Sequence, residues 1–387
     1  MLNYQFDLTR LKDKLQMQAV RQRRPLSCIL ELTYRCNFRC RMCYIRMEDA
    51  QAQAFGRMRT VEEWLDMARQ LHEAGVLYLT LTGGECTVYP GFVRLYRALS
   101  EMGFFVSVMT NAAALTEEVR AVFTEYPPRS VSVTLYGASN ETYAAVTGDP
   151  RGFDRTLDGI AFLRSLGIPV GLNFTMVKQN VLDYPKVGAL CASLGLPYTL
   201  ITDITPHNRD ASFSDALNCR LTPAERACVA CYPPAAVAEA LEEAKTLEGT
   251  FSAALMPQPT EEDPGIQACI GSYSAAAIYW NGEMNTCISL GGSPGYRPFE
   301  VGFEAAWRQL QADHAERFRR PPVCVVCPVK EQCVHSCAAR NFEATGDPSV
   351  PDLYTCEYVW HLVHCREKHG LGTKAVEHSC QSGMDES

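Results

Sequence analysis

Ile29-Leu30-Glu31-Leu32-Thr33-Tyr34-Arg35-Cys36-Asn37-Phe38-Arg39-Cys40-Arg41-Met42-Cys43-Tyr44 runs from an apolar, strand-like segment straight into a loop with three cysteines. Three residues separate the first pair and two the second. Thiolates are the usual protein ligands of iron–sulfur clusters. Three on one short loop can hold three irons of a cubane [4Fe–4S] cluster and leave the fourth iron without a protein ligand. Such an open iron can bind a small molecule and pass it an electron. Zinc is the competing occupant, but a structural zinc site takes four ligands, and no cysteine or histidine closely follows Cys43.

Outward from this loop, residues 28–206 alternate between two patterns. Strand-like runs are predicted at 29–35, 76–82, 104–110, 130–136, 169–177 and 198–204. Helical periodicity lies between them, at 60–74, 91–102, 116–125, 153–166 and 181–194. Gly75, Gly103 and Gly167 each close a helical pattern, as glycines after helix C-termini do. Six strands alternating with helices predict an α/β fold with a parallel sheet joined by right-handed crossovers. Periodicity is compatible with an open or a closed barrel. Residues 1–27 read as a polar lead-in, 207–268 as a helical bridge, 269–365 as a cysteine-rich domain and 366–387 as a frayed polar tail.

Composition narrows the function classes. The chain has 387 residues, 47% hydrophobic and 21% charged, with a net charge of −8. That charge argues against nucleic acid as a partner, since phosphate binding needs basic surfaces. No apolar run approaches the roughly 18 residues expected of a membrane span, so no membrane partner is expected. The N-terminus lacks the form of a signal peptide, and the protein is read as cytoplasmic. Eighteen cysteines in that compartment point to metal or redox chemistry and not to disulfides.

Cys36-Asn37-Phe38-Arg39-Cys40-Arg41-Met42-Cys43, followed by the aromatic Tyr44, resembles the cluster loop of the radical S-adenosylmethionine (SAM) enzymes. Leu81-Thr82-Gly83-Gly84-Glu85 follows the second strand, like the Gly-Gly-Glu motif of that family. Two glycines let a backbone approach a ligand closely, and their N–H and C=O groups together with Glu85 would hold the amine of SAM. Relatives usually place proline next, whereas here Cys86 adds a thiol near the cofactor. The resemblance further assigns Thr110 and Asn111, at the end of the third strand, and Thr134, at the end of the fourth, to cofactor binding. Arg155 is either a partner of SAM's carboxylate or ribose or an exposed helix arginine. Asn173 either lines the pocket or is a polar strand-end residue. These groups sit at strand C-terminal ends, where parallel α/β folds bind ligands. The implied fold is a partial (β/α)6 TIM-like barrel. The implied chemistry is reductive cleavage of SAM to methionine and a 5′-deoxyadenosyl radical, which abstracts hydrogen from a substrate.

Beyond residue 268 the spacing is again specific. Cys269 is followed after twelve residues by Gly282 and after four more by Cys287. Cys324, Cys327, Cys333 and Cys337 come next, with gaps of two, five and three, and Cys356 after eighteen more. This resembles the SPASM extension of the same superfamily, which implies two auxiliary [4Fe–4S] clusters and three in all. Cys269, Cys287 and Cys337 would bind the first, and Cys324, Cys327, Cys333 and Cys356 the second. Zinc is the alternative for the run from Cys324 to Cys337. The first auxiliary cluster then has an open iron or a remote fourth ligand, for which Cys219, Cys228 and Cys231 are candidates. The bland reading of Cys228 and Cys231 is two spare thiols, and Cys365 belongs to no pattern.

SPASM relatives mostly modify peptides. The resemblance therefore implies a peptide substrate, with a small molecule as the alternative and a non-catalytic iron–sulfur or zinc protein as a third reading. Ile288 stands after Cys287 where formylglycine-forming relatives carry an acid, which lowers that assignment. Partners implied are a one-electron donor such as flavodoxin or ferredoxin. The short lead-in implies that any leader peptide is bound by a separate protein or by another surface of the chain.

Overall fold

The computed structural model describes residues 8–205, 215–252, 256, 270–317, 321–333 and 337–371. Cys269, most of the loops expected at 208–215 and 256–265, and nearly all of the polar tail lie outside the described residues. The frame is one eight-stranded sheet. Its strands are β1 (Ser27–Glu31), β2 (Tyr78–Thr82), β3 (Phe105–Thr110), β4 (Ser130–Leu135), β5 (Val170–Thr175), β6 (Tyr198–Ile201), β7 (Ala275–Ile278) and β8 (Met284–Asn285). They lie in the order β6-β5-β4-β3-β2-β1-β7-β8. Every neighbouring pair from β6 through β7 is parallel, and β7 with β8 is antiparallel. The sheet is open, with β6 and β8 as its edges.

All six predicted strands are present. The first is shorter than the 29–35 expected and stops at Glu31. After Leu32, the apolar run leaves regular pairing and bonds instead to the glycine loop that follows β2. The predicted helices appear as Val61–Glu73, Phe92–Glu101, Glu117–Glu125, Gly152–Ser165 and Tyr184–Leu194. Two of the unexpected elements bear on the site. The helix Asn140–Thr147 begins at a Ser139 cap whose hydroxyl accepts from Thr142 N–H. β7, an Ala-Ala-Ala-Ile segment inside the cysteine-rich region, joins the sheet beside β1, with Ser27 opposite Ala275.

The two faces of the sheet differ, and this positions the site. Parallel sheets are usually apolar and covered on both sides. Here one face carries Leu30, Leu81, Val108, Val131, Val133, Leu172 and Phe174, all buried against the helices. The other face is more polar, with register pairs Thr80–Ser107, Ser107–Ser130 and Thr134–Asn173 beside the apolar Ile29. Most of these are half-buried, and the Ser107 and Ser130 hydroxyls are 3.0 Å apart. Strict alternation thus builds a sheet with one oily face and one hydrophilic face, the second suited to a polar ligand.

A buried charge network ties the end of β6 to the cysteine-rich region. Arg226, in the helix Pro223–Cys231, has a fully buried side chain. Its Nε donates to Thr202 Oγ1 at 3.0 Å, and its guanidinium lies 3.4 Å from Asp203 and 3.8 Å from the Tyr358 ring centre. Asp203 also pairs with Arg340, just beyond Cys337. Removing one partner of a buried ion network strands the opposite charge. Asp203→Ala is therefore expected to lower unfolding stability by about 3–5 kcal/mol, measured by urea titration. A loss under about 1 kcal/mol, the range of an exposed pair, would contradict the network's buried character.

Candidate functional site

The loop from Cys36 to Cys43 is held at the C-terminal ends of β1 to β4 by the helix that sequence reading missed. Arg39 N–H donates to the Thr147 carbonyl at 2.8 Å, and Arg41 N–H to that of Val146 at 3.0 Å. Phe38 anchors the centre of the loop. It is buried, with ring centres 6.0 Å from Tyr136 and 6.1 Å from Tyr143. Gly152 makes room for this group, since a Cβ there would stand 2.7 Å from Tyr143 and 3.1 Å from Phe38. The far side is pinned by Arg41, whose guanidinium pairs with Asp215 at 2.9 Å.

Within the loop, backbone donors address the sulfurs. Phe38 N–H points to Cys36 Sγ at 3.3 Å and Arg46 N–H to Cys43 Sγ at 3.2 Å. Burial nonetheless pushes all three thiols up. Cys36 rises to about 12 through burial first and the Glu85 charge second. Cys40 rises well above its ordinary value through burial and then through Cys43 and Cys36. Burial likewise raises Cys43. The protein supplies too little positive charge to ionise these groups, which is the setting in which a metal displaces thiol protons on binding. Zinc–sulfur bonds of about 2.3 Å would draw the sulfurs to about 3.8 Å from one another. The three do not converge within 4.8 Å, so the donor set is wider than a single ion requires and fits a multinuclear cluster.

Gly83-Gly84-Glu85 packs directly under this loop. Gly84 N–H donates to the Thr33 carbonyl at 2.7 Å and Glu85 N–H to that of Arg35 at 2.9 Å. A Cβ on Gly84 would stand 2.4 Å from the Arg35 carbonyl oxygen, and one on Gly83, at φ +152°, 2.6 Å from that of Thr33. The glycines are thus needed first for contact between the two loops. The Gly84 amide hydrogen is engaged inside the chain. The Gly83 and Gly84 carbonyls accept no hydrogen bond among the described residues and are left to meet a ligand.

Glu85 is 1% exposed. Its Oε1 accepts from Thr87 N–H at 3.1 Å and from the Thr87 and Thr110 hydroxyls at 2.8 Å each. Oε2 accepts Asn111 N–H at 2.8 Å. Burial raises its pKa against the pull of these bonds. Among the described residues no lysine, arginine or histidine forms an ion pair with it. A carboxylate oxygen with one donor has room for another, and an ammonium group at Oε2 would supply the missing counter-charge. Asn111 joins this carboxylate to the cluster loop, its Nδ2 lying 2.8 Å from Asn37 Oδ1 and 3.8 Å from Cys36 Sγ. Cys86 Sγ lies 3.9 Å from Glu85 Oε1 and donates to the Met109 carbonyl at 3.3 Å.

The other expected residues divide. Thr134 and Asn173 are register partners, both half-buried on the polar face. Arg155 is paired with Asp149 at the start of its helix, and Tyr44 packs with Tyr34, Ile45, Met47 and Trp280. Cys287 and Cys337 meet against Leu290 and Ala339. Cys356 is pushed up to about 12 by burial first and then by the charges of Cys324, Cys333, Asp352 and Cys327. Cys219 packs beside Cys40 and Tyr136. Cys228 lies instead with Cys365, a residue without any sequence pattern, and only the packing of two distant helices reveals the pair.

The radical SAM superfamily model matches residues 30–185. The PqqA peptide cyclase of Rhodopseudomonas palustris is 29% identical over 170 residues, 44% of each chain. The alignment thus spans less than half the length of that relative. The AdoMet-dependent heme synthase of Methanosarcina barkeri is 26% identical over 350 residues, covering 85% of this chain and 95% of the relative. Two solved structures share the fold. Streptococcus suis SuiB bound to precursor peptide SuiA superposes with a TM-score of 0.62 at 15% identity, covering 89% of this chain and 80% of SuiB. Native anSMEcpe with bound AdoMet gives 0.62 at 14% identity, covering 90% and 98%.

Two substitutions separate the roles of these loops. Gly84→Ala forces the glycine loop off the Arg35 carbonyl and is expected to lower both thermal stability and iron retained after anaerobic reconstitution. Asn111→Ala removes the side-chain amide beside Cys36 Sγ and Asn37 while keeping the backbone N–H that serves Glu85, and is expected to weaken iron retention about 10–100-fold, as loss of groups that orient ligands does. Iron assay against a chelator series reads both, and wild-type retention in Asn111→Ala would contradict the link.

Proposed function

Because residues 30–185 match the radical SAM superfamily, we propose that the chain is a SAM-dependent radical enzyme whose substrate is a ribosomally made peptide. The observation that carries this reading is the contact between two loops. The three-cysteine loop is bonded through Thr33 and Arg35 to Gly84 and Glu85, and Glu85 is a buried carboxylate lacking a cationic partner among the described residues. When bound, a [4Fe–4S] cluster and SAM supply one-electron cleavage of the sulfonium and abstraction of hydrogen from substrate.

The chain's own residues then have distinct tasks. Cys36, Cys40 and Cys43 would hold three irons, with the Phe38 and Arg46 N–H groups favouring their thiolates. Glu85 and the Gly83 and Gly84 carbonyls would take the amine of SAM, with Thr110 and Asn111 fixing the carboxylate. Thr134 and Asn173 would offer hydrogen bonds from the polar face. Arg155 would join them only by leaving Asp149, and Tyr44 would shield the loop from its own side. Cys269, Cys287 and Cys337 are assigned to one auxiliary cluster, and Cys324, Cys327, Cys333 and Cys356 to another. The electron donor would be a flavodoxin or ferredoxin, and a separate protein would bind any leader peptide.

Similarity to the peptide cyclase and the fold shared with SuiB support a peptide. A second reading, a small-molecule substrate, is supported by the alignment with the heme synthase, which runs through 85% of the chain. Among the described residues no helix is long and apolar enough to cross a membrane.

The test is anaerobic incubation of reconstituted protein with reductant, SAM and candidate substrates, read by mass spectrometry. Wild-type protein is expected to hold about twelve irons in three clusters, to release 5′-deoxyadenosine and to change the mass of a peptide. Cys40→Ala is expected to release none. Zinc alone in the purified protein would sink the enzymatic reading. Cleavage of SAM with a mass change confined to a small molecule would select the second.

A further inference from the structure

Three helices meet at a second set of metal-type ligands, apart from the strand-end loops and the SPASM-type cysteines. They are Pro223–Cys231, Val237–Leu247 and Leu353–Lys368. Cys228 Sγ and Cys365 Sγ are 3.4 Å apart, and Cys365 Sγ lies 3.9 Å from Glu243 Oε1. These three ligand atoms all fall within 4.8 Å of one another, the one such group of three or more among the described residues. Both thiols are 0% exposed. Cys231 lies one helical turn beyond Cys228 on the same helix.

We propose that Cys228, Cys365 and Glu243, with Cys231 in the fourth position, form a structural site for one divalent zinc ion. Zinc–sulfur bonds of about 2.3 Å and zinc–oxygen bonds of about 2.0–2.2 Å at tetrahedral angles set ligand atoms about 3.5–3.8 Å apart. The observed 3.4 and 3.9 Å bracket that range. Thiolates with one carboxylate favour zinc over magnesium or calcium, which take all-oxygen shells. The carboxylate is also presented correctly. Glu243 Oε2 takes the Tyr232 hydroxyl at 2.6 Å, Lys368 Nζ at 2.9 Å and His369 Nε2 at 3.4 Å, leaving Oε1 turned to Cys365. Ligands of a metal are commonly oriented by such outer partners. Binding would displace the thiol protons to solvent. A disulfide needs sulfurs about 2.05 Å apart, so the pair as it stands is a reduced pair of donors. The ion would also serve the cluster region, because Cys356 lies nine residues before Cys365 on one helix, about 13.5 Å along its axis.

The test uses full-length, cluster-loaded protein purified anaerobically from zinc-supplemented medium. One zinc per chain beyond the iron is expected by elemental analysis. Cys228→Ser/Cys365→Ser is expected to lose that equivalent with iron unchanged. Cobalt exchanged into the wild-type site is expected to give thiolate-to-cobalt charge-transfer absorption and tetrahedral visible bands. The cobalt readout decides the matter should the double variant fail to fold. Wild-type protein without the extra zinc and without cobalt–thiolate absorption would overturn the proposal. So would zinc retained in a folded double variant, or a Cys228–Cys365 disulfide found by mass spectrometry in the anaerobic protein.

Discussion

Two backbone hydrogen bonds hold the account together, from Gly84 and Glu85 N–H to the Thr33 and Arg35 carbonyls. They continue the pairing of β1 with β2 past the point where regular strand geometry ends. They do so at a separation that admits no side chain, since a Cβ on Gly84 would stand 2.4 Å from a carbonyl oxygen. One consequence is that the three-cysteine loop and Glu85 are placed by the same contact. The three cysteines and the buried carboxylate are parts of one rigid corner, and Asn111 closes that corner from β3. The glycines of such a motif serve packing between loops before they serve a ligand.

The polarity of the sheet extends this corner into a site. Helices bury one face of the sheet, and the alternating register leaves threonines, serines and Asn173 on the other. A ligand beside Glu85 would look onto that face. β7 lengthens the same sheet beyond β1, so a strand of the cysteine-rich region lies next to the strand that launches the cluster loop. The Asp203 network adds a second tie, from the end of β6 to Arg340 beyond Cys337. Through these ties the cysteine-rich segment is braced against the sheet at both ends.

Much of this was legible in the sequence. Leu79 and Leu81, Val106 and Val108, and Val131 and Val133 alternate with polar partners, and the glycines after the helices mark the crossovers. Of the spaced cysteines, Cys287 and Cys337 pack against the same pair, Leu290 and Ala339. What escaped had physical reasons. β1 was read four residues too far because Leu32 to Arg35 keeps a strand-like pattern while bonding to a loop. The helix Asn140–Thr147 has only eight residues, too few for periodicity to speak, although Ser139 and Gly148 mark its ends. β7 is three alanines and an isoleucine, which carry no strand signal. Cys365 gains meaning only when its helix packs against Cys228, a pairing 137 residues apart in the chain.

The central claim is that an open iron held by Cys36, Cys40 and Cys43 faces a cofactor amine received by Glu85. Electron paramagnetic resonance of the reduced, reconstituted protein tests it most directly. The signal of one cluster is expected to shift when SAM is added, and the shift is expected to vanish in the Cys36→Ala/Cys40→Ala/Cys43→Ala variant while the auxiliary signals persist. A wild-type spectrum unchanged by SAM would contradict the account.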